Sequence, residues 1–246
     1  MYSLPFIKES DFKEHVKTTL ASYSRSMGSI DLEKFNSNVV DPIKLLFDKS
    51  MFRMSYEELI KQEIHRQRDK SNTNSIGYFH QNIFRYIEGC VVPHSGWDII
   101  FDNKVYVEMK NKHNTMNSSS SQKTYMHMQN HILRYPDTYC YLVEVIAKRS
   151  QNITWKCSLD GMSCEHEHIR RVSIDKFYAE VTGIENAFYM MCMQLPETIN
   201  ELINEKAADI IQKDTVIYEL QQRNPDLLKA LYLLAFETYE GFSELN

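Results

Sequence analysis

Apolar positions recur every three or four residues at both ends of this chain and every second residue in its middle. Phe12, Val16 and Leu20 predict a helix over residues 8–25. Leu32, Phe35, Val39, Ile43, Leu46 and Phe47 predict another over 30–49, capped by Ser29 or Asp31 and broken or restarted at Asp41-Pro42. Ser55 followed by Glu58 is a capping-box pattern for a helix over roughly 56–69. Residues 71–75 (Ser-Asn-Thr-Asn-Ser) read as a polar loop and helix start, and 76–87 as a helix ended by Gly89.

The period then changes. Residues 97–101 are apolar apart from Asp98, and Val105, Val107 and Met109 alternate with Tyr106, Glu108 and Lys110. With Asp102-Asn103 between them, the two runs predict a β-hairpin. Residues 139–147 form a nearly continuous β-rich run, consistent with a buried central strand. Further strands are expected over 153–158 and 169–174, with a turn at Asp160-Gly161. Helices follow over 122–134, from Ser173 through Val181, and over 185–195, 197–222 and 225–239. The four serines 118–121 suit a flexible linker. Met190, Met191 and Met193 suit a core or a dimer face better than a cofactor site. The expected fold is α/β, a small mixed sheet of about five strands within 91–175, flanked by helices from both ends. It is expected as one domain over 1–246, with a helical segment over 1–90, a sheet core over 91–180 and a helical segment over 181–246.

Composition narrows the class. The chain has 246 residues, 43% of them hydrophobic, which supports a packed core. No run approaches the ~18 apolar residues of a membrane span. The N-terminus has neither the basic region nor the apolar stretch of a secretion signal. Five scattered cysteines, an odd number, suit reduced thiols in a cytoplasm. The net charge of −5 argues against nucleic acid only if charge is spread evenly. It is not: residues 181–246 hold 11 acids and 4 bases, leaving the remainder slightly basic.

The hairpin carries the chemistry. The pleat puts Glu108 and Lys110 on one face, and antiparallel pairing brings Asp98 across toward Glu108. Counting outward from the midpoint of Asp102-Asn103 sets residue 98 against 107, so a bulge or a shifted pairing is needed to bring the acids together. Two carboxylates and one ammonium on one patch suit metal-assisted phosphodiester hydrolysis. Hard carboxylate oxygens hold Mg²⁺, which engages phosphate and acidifies a bound water. A lysine beside it can orient or deprotonate the attacking water and offset transition-state charge. The alternative is an ordinary solvated charged face.

Asp98 followed by Glu108-Met109-Lys110 on the next strand resembles the PD-(D/E)xK nuclease superfamily, although Trp97 stands where proline is usual. Residues 69–87 (DKSNTNSIGYFHQNIFRYI), 96–119 (GWDIIFDNKVYVEMKNKHNTMNSS) and 169–188 (IRRVSIDKFYAEVTGIENAF) resemble blocks of type II restriction endonucleases, closest to the group cutting GGNCC-type sites. The resemblance implies a restriction-endonuclease-like fold and Mg²⁺-dependent cleavage of double-stranded DNA at a short palindrome. It implies Asp98, Glu108 and the Met109 backbone carbonyl as metal ligands, and Lys110 as the residue positioning or activating water. It implies Glu63 as a further metal-side acid, and a cognate DNA methyltransferase as a functional, not physical, partner. A palindrome needs a two-fold reader, so a homodimer is expected. The rivals are a repair or junction nuclease of the same superfamily and a non-catalytic DNA-binding module.

Other side chains suit DNA by type. Arg66 and Lys70 lie on the helix of Glu63 and can meet phosphate, or form a solvated face. Asn72 and Asn74 can contact phosphates and base edges, or cap a helix. Asn111, Lys112, His113 and Asn114 follow the acid strand directly and suit phosphate contacts, and Gln129 can sit near the site. Cys157, Cys164, His166 and His168 lack a usual zinc spacing and are expected to be a hairpin with incidental polar residues. There is no Gly-rich phosphate loop, and no Ser/His/Asp arrangement stands out.

Overall fold

The computed structural model describes residues 2–204 and 214–236. In chain order its elements are α1 (Glu9–Ser26), α2 (Leu32–Asn36), α3 (Pro42–Phe52), α4 (Tyr56–Asn82), a 3-10 turn (Ile83–Tyr86), β1 (Cys90–Val91), β2 (Ile99–Phe101), β3 (Val105–Lys112), α5 (Ser118–Arg134), β4 (Tyr139–Ile146), β5 (Asn152–Thr154), β6 (Cys157–Leu159), β7 (Met162–Cys164), β8 (Ile169–Ser173), α6 (Ile174–Thr182), α7 (Ala187–Asn204), α8 (Val216–Arg223) and α9 (Leu227–Phe236). The chain divides into two compact units. One comprises Met1–Leu20 and Ser75–Ala207, the other Ala21–Asn74 and Ala208–Asn246.

The first unit is built on a six-stranded sheet in the order β1-β2-β3-β4-β8-β5. β3, β4 and β8 run parallel, while β1, β2 and β5 are antiparallel to their neighbours. The fold is thus α/β with a mixed sheet, one strand larger than expected. Its two faces bury different cores. Val105, Val107, Met109, Tyr141, Val143 and Val172 join a cluster with Phe12, Phe84, Phe177 and Tyr178. The opposite face carries Cys140, Leu142 and Ile169 against Tyr125, Met128 and Ile132 of α5, with Trp155.

The second unit is helical. Asp31 caps α2 by accepting from the Lys34 N–H, and Asp41 caps α3 through the Ile43 and Lys44 N–H groups, with Pro42 in the first turn. The expected break at Asp41-Pro42 is therefore real. The Ser55–Glu58 capping box forms in both directions. Phe35, Leu45, Ile60, Leu220 and Leu231 lie in its core.

Several expectations need correction. Residues 71–75 are not a loop: α4 runs unbroken through them. Polar Ser, Asn and Thr favour caps only where a helix end needs them, and no proline interrupts this stretch. Ser71 donates to the Gln67 carbonyl and Asn72 accepts from Ser26, so both side chains are used along and beside the helix. Serines 118–121 are not a linker but the first turn of α5, capped by Asn117, whose side chain accepts from the Ser120 N–H. Residues 153–158 are not one strand: β5 pairs with β8, whereas β6 pairs with β7 in a separate hairpin. Pro196 does not divide α7. It removes one backbone donor, but Met191, Gln194, Thr198 and Leu202 are buried on both sides of it and keep the helix in place. Of the helices expected over 197–222 and 225–239, residues 205–213 and 237–239 lie outside the described residues. Met191 is buried in the core, whereas Met193 is exposed.

Candidate active site

The β2–β3 hairpin places the acids. Asp102 and Asn103 both have positive φ, 49° and 54°, and the Lys104 N–H closes the turn onto the Phe101 carbonyl at 3.0 Å. Aspartate and asparagine tolerate this region better than most residues. The first ladder pair is Phe101 with Val105, so Lys104 also stays outside the ladder. Three residues lie in the connection instead of two, and the register becomes Ile99 with Val107. Continued by one residue, Asp98 lies opposite Glu108. The one-residue mismatch counted from the sequence is thereby removed at the turn.

Asp98 is fixed by backbone groups. Its N–H donates to the Val107 carbonyl at 2.9 Å, and its Oδ2 accepts from the Met109 N–H at 2.7 Å. Gln81 of α4 donates to its carbonyl at 3.2 Å. Glu108 and Lys110 share the β3 face that looks toward α5, with Lys110 Nζ 3.3 Å from Glu108 Oε2. Burial, then the like charge of Asp98, raises the Glu108 carboxyl above the usual carboxylate range, against the opposing pull of Lys110 and His127.

His127 is the residue that sequence reasoning missed. Its Nδ1 lies 3.9 Å from Glu108 Oε1, and its ring stacks on Trp97 at 4.5 Å between centroids. The available signal was the His127/His131 pair one turn apart, both of which meet Trp97. Gln129 is exposed on the same helix and, two positions on, lies about 200° further round it.

A second charged pair was also missed. In the β3–β4 register Lys110 lies beside Glu144. Glu144 is 1% exposed, and its Oε1 accepts from Arg171 Nε at 2.9 Å and from Arg171 Nη2. Its Oε2 is buried without a hydrogen-bond partner. The apolar stretch 139–147 hid this glutamate.

The remaining candidates are distributed. Asn111 and Lys112 are the last residues of β3 and point to opposite faces, Lys112 to that of Lys110. Asn111 lines a cavity of about 540 Å³ with His80, Val145, Arg149 and Asp175. The His113 N–H bonds the Ile146 carbonyl, and its own carbonyl accepts from Arg171. Asn114 is exposed in the turn that follows. Glu63, Arg66, Lys70, Asn72 and Asn74 all belong to the helical unit. There Arg66 and Gln67 bind the Glu63 carboxylate, and Lys70 and Asn74 are exposed.

Two hard carboxylates suit Mg²⁺, which is commonly held by one or two protein carboxylates and completed by water and phosphate. Asp98 and Glu108 fit that pattern, and no cluster of three His, Cys, Asp or Glu able to hold a metal occurs among the described residues. Cys157 and Cys164 face each other across the β6–β7 hairpin, and all five cysteines are free thiols.

A family model for the Eco47II restriction endonuclease matches residues 4–204. The chain is similar to the type II restriction enzyme Sau96I of Staphylococcus aureus, 32% identical over 83% of each chain. It is also similar to the type II restriction enzyme Eco47II of Escherichia coli, 27% identical over 84% of this chain and 90% of that one.

Proposed function

The chain belongs to the Eco47II restriction endonuclease family, and from that premise we propose how this type II site-specific deoxyribonuclease cuts and where. The reading is Mg²⁺-dependent hydrolysis of one phosphodiester bond in each strand of double-stranded DNA at a short palindrome of the GGNCC type, by a homodimer. The observation that carries the site assignment is Asp98 held opposite Glu108, with Lys110 two residues further along the same face.

Asp98, Glu108 and the Met109 carbonyl would hold Mg²⁺, which when bound supplies a Lewis acid for the scissile phosphate. Met109 takes up Asp98 Oδ2, which leaves Oδ1 as the oxygen free to ligate. Lys110 Nζ holds the attacking water in line and offsets charge growing on the phosphate oxygens. His127, braced on Trp97, orients Glu108 from the α5 side. Lys112, on the face of Lys110, and His113 and Asn114 after it would meet the backbone of the bound strand, where phosphate contacts set register, with Asn111 a further contact from the other face. Arg66, Lys70, Asn72, Asn74 and Gln129 are further DNA contacts on this reading. A cognate methyltransferase would protect the host's own sites.

The test is digestion of a plasmid of known sequence with Mg²⁺, followed by mapping of the ends. Fixed fragments ending at a GGNCC-type palindrome are expected. Fragments with no common sequence, or cleavage confined to flaps and junctions, would replace this reading with a structure-selective nuclease.

A further inference from the structure

Among the described residues, the helical unit exposes an apolar stripe that its buried core does not include. α3 buries Pro42 and Leu45. On another side of the same helix Ile43, Phe47 and Met51 repeat every four residues and are 48%, 68% and 77% exposed. Val39, in the connection before α3, is 81% exposed, and Phe52, the last residue of α3, is 67% exposed. A helix apolar on more than one side is ordinarily covered on more than one side. Val39 is a β-branched residue at φ 49°, a region such residues rarely adopt. Its backbone is thus held in an unfavourable conformation that presents an apolar side chain to water.

We propose that this α3 stripe is the surface through which two copies of the chain associate about a two-fold axis. The inference rests on the homodimer reading and adds its location. The stripe is self-complementary. With two α3 helices antiparallel and the axis at Phe47, each Phe47 meets its counterpart and each Ile43 meets the other copy's Met51. The same register brings Asp41 at the start of α3 near Arg53 at the end of the other copy's α3, so the charges at the rim match. The opposed helix dipoles agree with that pairing. This is an isologous contact, as a dyad requires. Contiguous exposed apolar side chains of this kind are what interaction sites on soluble proteins present. The stripe would form the dry centre of an interface taking about 800 Å² from each partner.

The test is sedimentation equilibrium of the full-length protein, wild type against Phe47→Glu, with circular dichroism to confirm folding. Phe47 is exposed, so the variant is expected to fold normally. Wild type should be a dimer, and the variant should dissociate at least about 100-fold more readily, since the change acts twice across the axis. In addition, oxidised Phe47→Cys should run as a covalent dimer. Unchanged dimerisation of Phe47→Glu, or a wild type that stays monomeric at about 100 μM, would overturn the proposal. Plasmid digestion by the same wild-type preparation separates the two readings. Site-specific cutting by a monomer would sink the interface alone, whereas a dimer that cuts nowhere would sink the nuclease mechanism alone.

Discussion

The Met109 N–H donates to Asp98 Oδ2 at 2.7 Å, tying the first acid to the strand that carries the second. The hydrogen bond crosses from the end of β2 to β3 and lies between Glu108 and Lys110 in sequence. Any movement of Asp98 is therefore a movement relative to both of them. Asp98 is held by backbone geometry, the kind of preorganisation that the proposed charge stabilisation would use.

Glu108 is expected to cost stability in the metal-free protein. Its carboxyl is raised in the folded chain, so the unfavourable contribution is complete above the folded value and fades as pH falls through it. Glu108→Gln should abolish cleavage in Mg²⁺ and raise the metal-free melting temperature at neutral pH. Calorimetry alongside plasmid digestion checks both. A variant that cuts at the wild-type rate would show the site to be misassigned.

Lys110→Ala should separate cutting from binding. Loss of one transition-state stabiliser should slow single-turnover cleavage about 10²–10³-fold. Binding to a cognate duplex in Ca²⁺ should stay within a few-fold of wild type, because contacts to DNA are spread over many residues. Gel-shift titration with cognate and scrambled duplexes measures it. Normal cutting would remove Lys110 from the mechanism.

Glu144 is buried and paired with the half-buried Arg171, so removing the arginine strands the glutamate. Arg171→Leu should cost about 3–5 kcal/mol in urea unfolding, because it leaves the 1% exposed Glu144 carboxyl without its hydrogen-bond donor. Adding Glu144→Gln should recover a large part of that loss. A cost below about 1 kcal/mol would show that Glu144 reaches water or another partner.

His80 should set part of the acid limit of stability. Burial holds its ring down to about 4 from an ordinary 6.5. Above 6.5 both folded and unfolded forms are neutral and nothing is lost. Between 6.5 and 4 only the unfolded chain takes the proton, so stability falls by roughly 3 kcal/mol over that window. His15, also lowered by burial, adds a loss of the same sign. His80→Gln should flatten the decline in melting temperature between pH 6.5 and 4, and an unchanged slope would reject the assignment.

The sequence carried the hairpin and its two acids because strand alternation is local and short-range. The shifted pairing that the acids need is the one observed, but its origin was not legible, since the number of turn residues outside the ladder depends on the φ values of Asp102 and Asn103. The cap at Ser55, the choice of Ser29 or Asp31 for α2 and the restart at Asp41-Pro42 were legible because the partners of such caps lie within three residues. Polar stretches were not: the same asparagines and serines cap, fill or break a helix according to what packs around them, and 71–75 and 118–121 are both helical. His127 and Glu144 stayed hidden because each comes beside Glu108 or Lys110 only through the tertiary fold, one from α5 and one from the neighbouring parallel strand.

The sheet ends in very short strands. β1 has two residues and β5 three, with the longer β3 and β4 enclosed between neighbours. Each rim therefore offers another chain only a few open backbone donors and acceptors. Growth of the sheet by edge-to-edge addition, the usual route to unwanted polymers, has little to template on. Any association between copies would then run through side chains, whose shape and charge can limit its extent.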